Sequence, residues 1–225
     1  MVRVAGTEPL YWRSAAEDEA MQNEHHFVWE AIVNAVDSQL TGQRVLDIGC
    51  NRGGFLRMLC DGRDIGEGCG YDPAEAAIAD ARRLAGQRPL QFAVAGNIPP
   101  GWGRFDVAFS HEVLYLIPDL RSHAESVYGA LVPSGSYYAV MGVHAASPLM
   151  VEWHGEHAAE LRLPPLHDAD GVAGSFAAAG FEVSASRLKI GFIPIPVPAP
   201  RVLEWLDYYN EKKLLFRFTR PFAGG

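Results

Sequence analysis

From Ala15 to Val36 the apolar and aromatic positions recur at three- and four-residue spacing, through Met21, His25, Val28, Trp29, Ile32 and Val36. That is the stripe of a helix buried along one face. The pattern then shortens. Val45 to Ile48 is a brief apolar run that reads as a buried strand; it breaks at Gly49 into a glycine-bearing turn, and a helix starts near Phe55. Gly68 to Tyr71 reads as a second strand ending at Asp72, followed by Pro73 and an alanine-rich helix from Ala74 to Ala85. Leu90 to Ala95 is a third strand that ends at Gly96-Asn97, and Asp106 to Ser110 is a fourth. A helix is predicted from Leu120 to Leu131, closed by Pro133-Ser134-Gly135, with a fifth strand from Tyr137 to Met141.

The later part of the chain is less regular. Residues 142–168 are rich in His and Pro and fit neither period, so they read as an insertion with one short helix around Val151 to Glu160. Ala169 to Ala179 is helical with Gly180 as its terminator, and Phe181 to Lys189 alternates like a strand. From Ile193 to Pro200 every second residue is proline, which forces extended backbone and removes ladder donors. A helix from Arg201 to Tyr209 and a strand from Lys213 to Thr219 complete the pattern, and residues 1–13 read as an irregular arm.

Alternating strands and helices call for a parallel sheet wound on both faces, with ligands at the carboxyl ends of its strands near the reversal of strand order. That rule selects Gly49 to Gly53, Asp72, Gly96-Asn97, Ser110 to Tyr115 and Gly142 to Ala146. At 225 residues the chain reads as one domain able to bury roughly 70% of its unfolded surface. The net charge of −8 argues against a nucleic-acid partner, which needs a basic surface to displace counterions. Three cysteines without zinc spacing predict reduced thiols. The N-terminus shows no signal-peptide core and no run approaches a membrane span, so the expectation is a cytoplasmic protein without membrane contact.

Two ligand classes use a strand, a glycine turn and a helix followed by an acidic residue for ribose hydroxyls. Dinucleotide sites carry G-x-G-x-x-G. Here the glycines fall at Gly49, Gly53 and Gly54, and Asp47 ahead of them suits a cationic ligand better than a pyrophosphate. The run Asp47-Ile48-Gly49-Cys50-Asn51-Arg52-Gly53 resembles the first motif of class I S-adenosylmethionine-dependent methyltransferases. Asn51 stands at the motif's middle glycine, and Asn tolerates left-handed backbone.

Several further segments match the same family in order: Phe105-Asp106, Val113 to Asp119, Leu131 to Gly135 and Ala179 to Phe181. The resemblance implies a Rossmann-like doubly wound sheet of seven strands, mostly parallel with an antiparallel last strand. It implies S-adenosyl-L-methionine as cofactor, with Asp47, Gly49, Cys50, Asn51 and Gly53 along its ribose and methionine portion. Asp72 would receive the ribose hydroxyls and Pro73 would lie beside the adenine. Gly96 or Asn97 would meet the adenine edge, and Ser110 and His111 would follow the fourth strand. Within the single domain, residues 1–40 are an arm and lid helix, 43–141 the cofactor-binding core, and 142–168 with 191–209 substrate-side insertions.

The expected reaction is methyl transfer to a small-molecule acceptor, at oxygen or nitrogen. His111, His144 and Tyr115 are the candidate catalytic groups, each able to take a proton from the acceptor if one must leave. Ser110-His111 occupies the place where metal-dependent catechol-type members put an aspartate, so no metal is implied. His154 and His157 lack further ligands in register for zinc. A non-catalytic S-adenosylmethionine-binding protein and, on poorer glycine spacing, a nicotinamide oxidoreductase are the rival readings. The atom methylated and the oligomeric state stay open.

Overall fold

The computed structural model describes residues 15–36, 39–142, 144–195, 197 and 201–222, with side chains from residue 25 onward except at 144 and 161. The arm with Tyr11 and Trp12, and most of the second half of the proline-rich run, lie outside the described residues. Among the described residues seven strands form one sheet: β1 (Arg44–Ile48), β2 (Glu67–Asp72), β3 (Leu90–Val94), β4 (Phe105–His111), β5 (Leu131–Gly142), β6 (Glu182–Arg187) and β7 (Lys213–Thr219). Their order is β3-β2-β1-β4-β5-β7-β6. The first five run parallel, and β7 is antiparallel to both β5 and β6.

Among the described residues seven α-helices accompany the strands: α1 (Ala15–Ala35), α2 (Gly54–Arg63), α3 (Glu75–Ala85), α4 (Leu120–Ala130), α5 (Pro148–Leu161), α6 (Ala169–Ala178) and α7 (Val202–Asp207). Successive side chains of a strand point to opposite faces, so a strand covered on both sides must be apolar at every position. Tyr137 to Met141 shows this. Tyr138 and Val140 join Val28, Ile32, Phe55, Leu56, Ile78 and Phe109 on the α1, α2 and α3 side. Tyr137, Ala139 and Met141 join Leu120, Val127, Phe176 and Phe218 on the α4 and α6 side.

β1 sits between β2 and β4, so the chain leaves its carboxyl end toward β2 and later returns on the other flank through β4. The crevice between those two exits is the place this topology offers a ligand.

Several boundaries differ from the sequence pattern. Pro133-Ser134-Gly135 does not close a helix before β5 but lies within the strand. β4 pairs Phe105 with Leu131 and then Val107 with Ser136, so residues 132–135 bulge out of register. Ser134 takes a left-handed φ of 65°, and its N–H donates to the Arg220 carbonyl at 2.9 Å, which fastens the bulge to the end of β7. The helix expected around Val151 starts earlier, at Pro148, whose fixed φ suits a first turn. Much of its surface is exposed, which is why it carries no clear apolar stripe. The last helix is shorter than expected and passes into a π-helical turn, Tyr208–Lys212.

Phe176 of α6 stacks on Phe218 at 3.7 Å and lies 5.7 Å from Tyr137, with no exposed surface. Replacing it by alanine leaves a cavity under the sheet. Phe176→Ala is expected to lower unfolding free energy by about 3–5 kcal/mol, read from urea denaturation midpoints; a loss near zero would mean the α6 face is not part of the cooperative core.

Candidate active site

The β1–α2 turn is built from three left-handed residues: Gly49 at φ 71°, Asn51 at 45° and Gly53 at 69°. The N–H groups of Gly49 and Cys50 both donate to the Tyr71 carbonyl, at 3.0 and 3.1 Å, and Gly53 N–H closes the turn on the Cys50 carbonyl at 2.8 Å. A Cβ on Gly49 would sit 2.6 Å from Val113 Cγ2, and one on Gly53 would sit 2.5 Å from Phe92 Cζ. Glycine at 49 therefore lets the loop after β4 close against the turn. Asn51 adopts the left-handed conformation its place in the motif requires, and its Oδ1 is buried with no hydrogen-bond partner.

Asp72 ends β2 and reaches back to this turn. Its Oδ2 accepts from Asn51 N–H at 3.1 Å and its Oδ1 from Ala74 N–H at 2.9 Å. An ionised carboxylate presents about four acceptor sites over its two oxygens. Asp47 is 5% exposed. Burial, and then the charge of Asp72, push its carboxyl well above the usual range. Two acidic groups at one crevice favour a cationic guest. Cys50 is buried too, and burial followed by Asp47 and Asp72 drives its thiol up, so it packs rather than reacts.

Pro73, Gly96 and Asn97 are exposed at the carboxyl ends of β2 and β3. The Ala95 N–H donates to the Asp72 carbonyl at 3.0 Å, which holds the Gly96-Asn97 bend beside Asp72. Ser110 is different. Its hydroxyl shares a 2.6 Å hydrogen bond with the Tyr137 hydroxyl in the core of the α4 and α6 side, which leaves its main chain for any ligand contact.

The other flank of the crevice is the end of β4. His111 lies edge-on to His25 of α1, ring centroids 4.7 Å apart, and its Nε2 is buried without a partner. Desolvation, the neighbouring His25 and then Lys213 lower the His111 pKa well below the ordinary value, against an opposing pull from Glu112. The His25 ring is lowered to about 4, chiefly by desolvation and then by Lys213. Both imidazoles are therefore neutral near pH 7.

Glu112 has a left-handed φ of 54° and anchors its N–H on the Val140 carbonyl at 2.8 Å. Its Oε1 accepts from Lys213 Nζ at 2.6 Å, from Gly142 N–H at 3.1 Å and from the Tyr208 hydroxyl at 3.2 Å. Lys213 is 2% exposed and its Nζ lies 5.1 and 5.0 Å from the ring centroids of Tyr208 and Tyr209. Tyr115 is buried in a 3-10 turn, Leu114–Leu116, edge-on to Trp153 at 6.3 Å. The backbone of His144 opens a further 3-10 turn, His144–Ala146, and its side chain lies outside the described residues.

His154 Nε2 lies 2.9 Å from the Pro164 carbonyl and His157 Nδ1 lies 2.8 Å from the Trp153 carbonyl, so both rings are engaged by backbone. Among the described residues, no group of three or more His, Cys, Asp and Glu side chains is arranged to hold a metal ion. Among them, too, no helix is long and apolar enough to cross a membrane. The Glu112–Lys213 pair was not foreseen. Its one trace in the chain is a charge opening the otherwise apolar run Lys213-Leu214-Leu215-Phe216.

Residues 15–186 match a family described as Methyltransferase domain. A curated relative, the O-methyltransferase cnsE of Penicillium expansum, is 29% identical over 77% of this chain. The match covers 64% of that protein, so the chain spans somewhat under two thirds of the relative's length. Among solved structures, a chain from the Haloferax volcanii complex between the Trm112 methyltransferase activator and a methyltransferase superposes with a TM-score of 0.79. It is 22% identical and covers 98% of this chain and 100% of that one. Phosphoethanolamine N-methyltransferase 2 of Haemonchus contortus, in complex with S-adenosyl-L-methionine, gives 0.69 at 17% identity, covering 97% of this chain and 60% of that one.

The residues present fit S-adenosyl-L-methionine. The unpartnered Asn51 Oδ1 wants a donor, the Asp47 and Asp72 pair wants positive charge, and the Asp72 carboxylate at the end of β2 is of the acceptor type that a diol needs. Asp72→Ala should weaken binding of S-adenosylhomocysteine by about 2–4 kcal/mol in calorimetry, since it removes charge-assisted hydrogen bonds and loosens the Asn51 turn; unchanged affinity would remove Asp72 from the site. The chain belongs to the methyltransferase domain family, and it shares its fold with solved methyltransferases, one of them in complex with S-adenosyl-L-methionine.

Proposed function

We propose that this protein transfers a methyl group from S-adenosyl-L-methionine to a small-molecule acceptor, with a hydroxyl oxygen the preferred target and nitrogen the alternative. The observation that carries the oxygen reading is His111: a neutral imidazole with a sealed, unpartnered Nε2 beside the loop that closes on the glycine turn. Such an atom accepts a proton from an acceptor O–H, and an un-ionised hydroxyl is a poor nucleophile until that proton leaves. The curated O-methyltransferase relative supports the same choice.

When bound, the cofactor supplies an electrophilic methyl on a positively charged sulfur. The chain's part is to hold and align. In this reading Asp72 takes the ribose hydroxyls, Pro73 and the Gly96-Asn97 bend flank the adenine, and Ser110 contributes main chain. Gly49, Cys50 and Gly53 line the ribose and methionine portion, Asn51 Oδ1 accepts from its ammonium, and Asp47 supplies the balancing charge. Alignment of two reactants in a closed site carries most of the acceleration.

On the acceptor side α1 with His25, α5 and α7 surround the crevice. Arg201 Nη1 meets Glu152 at 2.8 Å, tying the segment before α7 to α5. A cavity of about 230 Å³ lined by Ser147, Pro148, Leu149, Leu203, Glu204 and Asp207 opens between those helices and suits the body of a small acceptor. Tyr115 and His144 are secondary candidates for contact with the acceptor. Free thiols at Cys50, Cys60 and Cys69 support a cytoplasmic setting.

The test is methyl transfer from labelled donor to a matched panel of phenols, alcohols and amines. Labelled O-methyl product is expected; cofactor binding without turnover across the panel would favour a binding protein. His111→Ala should cost more than about tenfold in turnover with cofactor affinity intact. Full activity in that variant would end the role of His111. The pH dependence has a definite sign. Because the His111 pKa is depressed, the base stays neutral as pH falls through the ordinary histidine range. Activity should hold down past pH about 6.5 and fall only below it.

A further inference from the structure

Immediately beyond His111 the chain makes a left-handed turn at a residue that is not glycine, and the side chain of that residue is the acceptor in a buried ion pair. The Glu112 carboxylate gathers donors from three separate elements: Gly142 at the end of β5, Tyr208 in the π-helical turn and Lys213 at the start of β7. Its own N–H is fixed on Val140. Left-handed backbone at a side-chain-bearing residue persists only where the surroundings hold it, and here they converge on one carboxylate. A buried ion pair is also a poor way to gain stability, because apolar residues of similar volume do as well or better. Strain and desolvation thus fall together on the residue next to the unpartnered imidazole.

We propose that Glu112 and Lys213, with Tyr208, are positioning residues for His111: they fix the exit of β4 so that the ring faces the acceptor, and they bring a carboxylate and an ammonium to that exit. The proposal rests on the reading of His111 as the acceptor-side base. The groups that face His111 are His25 from α1, Glu112 from its own turn and Lys213 from β7. The Tyr208 hydroxyl of the π-helical turn donates to the Glu112 carboxylate at 3.2 Å, and the Tyr209 and Tyr115 hydroxyls act electrostatically on Tyr208. Tyr208 is held protonated by burial and by Glu112, so it stays a donor. Lys213 and His25 disfavour the imidazolium, and Glu112 favours it. Lys213 and Glu112 act on the ring with opposite sign, so removal of either member exposes the other.

This balance makes opposite predictions for two substitutions. Glu112→Gln leaves the ammonium of Lys213 unopposed, so His111 should titrate lower than in the parent protein. Lys213→Met removes the ammonium that opposes Glu112, so His111 should titrate higher, by roughly half a pH unit or more. The combined variant should return toward the parent. The direct readout is NMR titration of the His111 ring in histidine-labelled full-length protein, with the signal assigned by its loss in His111→Gln. The acid limb of the pH–rate profile should move in the same directions.

Tyr208→Phe, which removes one neutral donor, should lower kcat several-fold with the cofactor KM unmoved. Shifts of one common sign in the two single variants, or no shift in folded protein, would overturn the proposal. If Lys213→Met fails to fold, Glu112→Gln and Tyr208→Phe still decide it, since the ring must titrate lower in the first and kcat must fall in the second. If His111→Ala keeps full activity while the ring shifts appear as stated, the charge coupling stands and the base reading alone fails.

Discussion

The carboxylate of Asp72 is the constraint on which the cofactor side depends. It bonds the backbone of Asn51 in the β1–α2 turn and of Ala74 after β2, so one side chain ties the glycine turn to the segment that follows β2. The turn could not reach it without left-handed backbone at Gly49, Asn51 and Gly53. A Cβ at Gly49 would in turn push away Val113 and the loop after β4. Phe92 seals the turn from beneath, against Gly53. Asp47 adds a second acidic group within the same field, its pKa pushed up by burial and then by the charge of Asp72. Local geometry and local charge ask for the same ligand.

The acceptor side is organised by a different kind of contact. There the elements are distant in sequence: α1 supplies His25, β4 supplies His111 and Glu112, and β7 supplies Lys213. The strand order makes this possible, because β7 returns antiparallel beside β5 and brings its first residue to the same sheet edge where β4 and β5 end. Gly142 pairs with Lys213 in that register, and Gly142 N–H also bonds Glu112. The antiparallel last strand thus completes the side of the crevice opposite the glycine turn.

How much of this could be read from the chain follows from the range of each interaction. β7 was legible from Lys213 to Thr219, and β1 with its turn to within a residue, because alternation and glycine punctuation are local signals. Asp72 was legible for the same reason, as an acidic residue ending a strand soon after the turn. The β5 bulge was not, since Pro133-Ser134-Gly135 looks like a turn and its fixation on Arg220 depends on a strand far along the chain. The start of α5 was missed because few of its side chains are buried and its apolar positions form no stripe. Ser110 was placed on the right strand end, but alternation turns its hydroxyl to Tyr137. The Glu112–Lys213 pair joins residues that no local pattern connects.

The central claim is that the crevice is a sulfonium-cofactor cradle rather than a dinucleotide one. The most direct measurement is calorimetric titration of the protein with S-adenosylhomocysteine and, separately, with NADH. The account predicts saturable one-site binding of S-adenosylhomocysteine and no binding of NADH at the same concentrations. Saturable NADH binding with no heat from S-adenosylhomocysteine would contradict it.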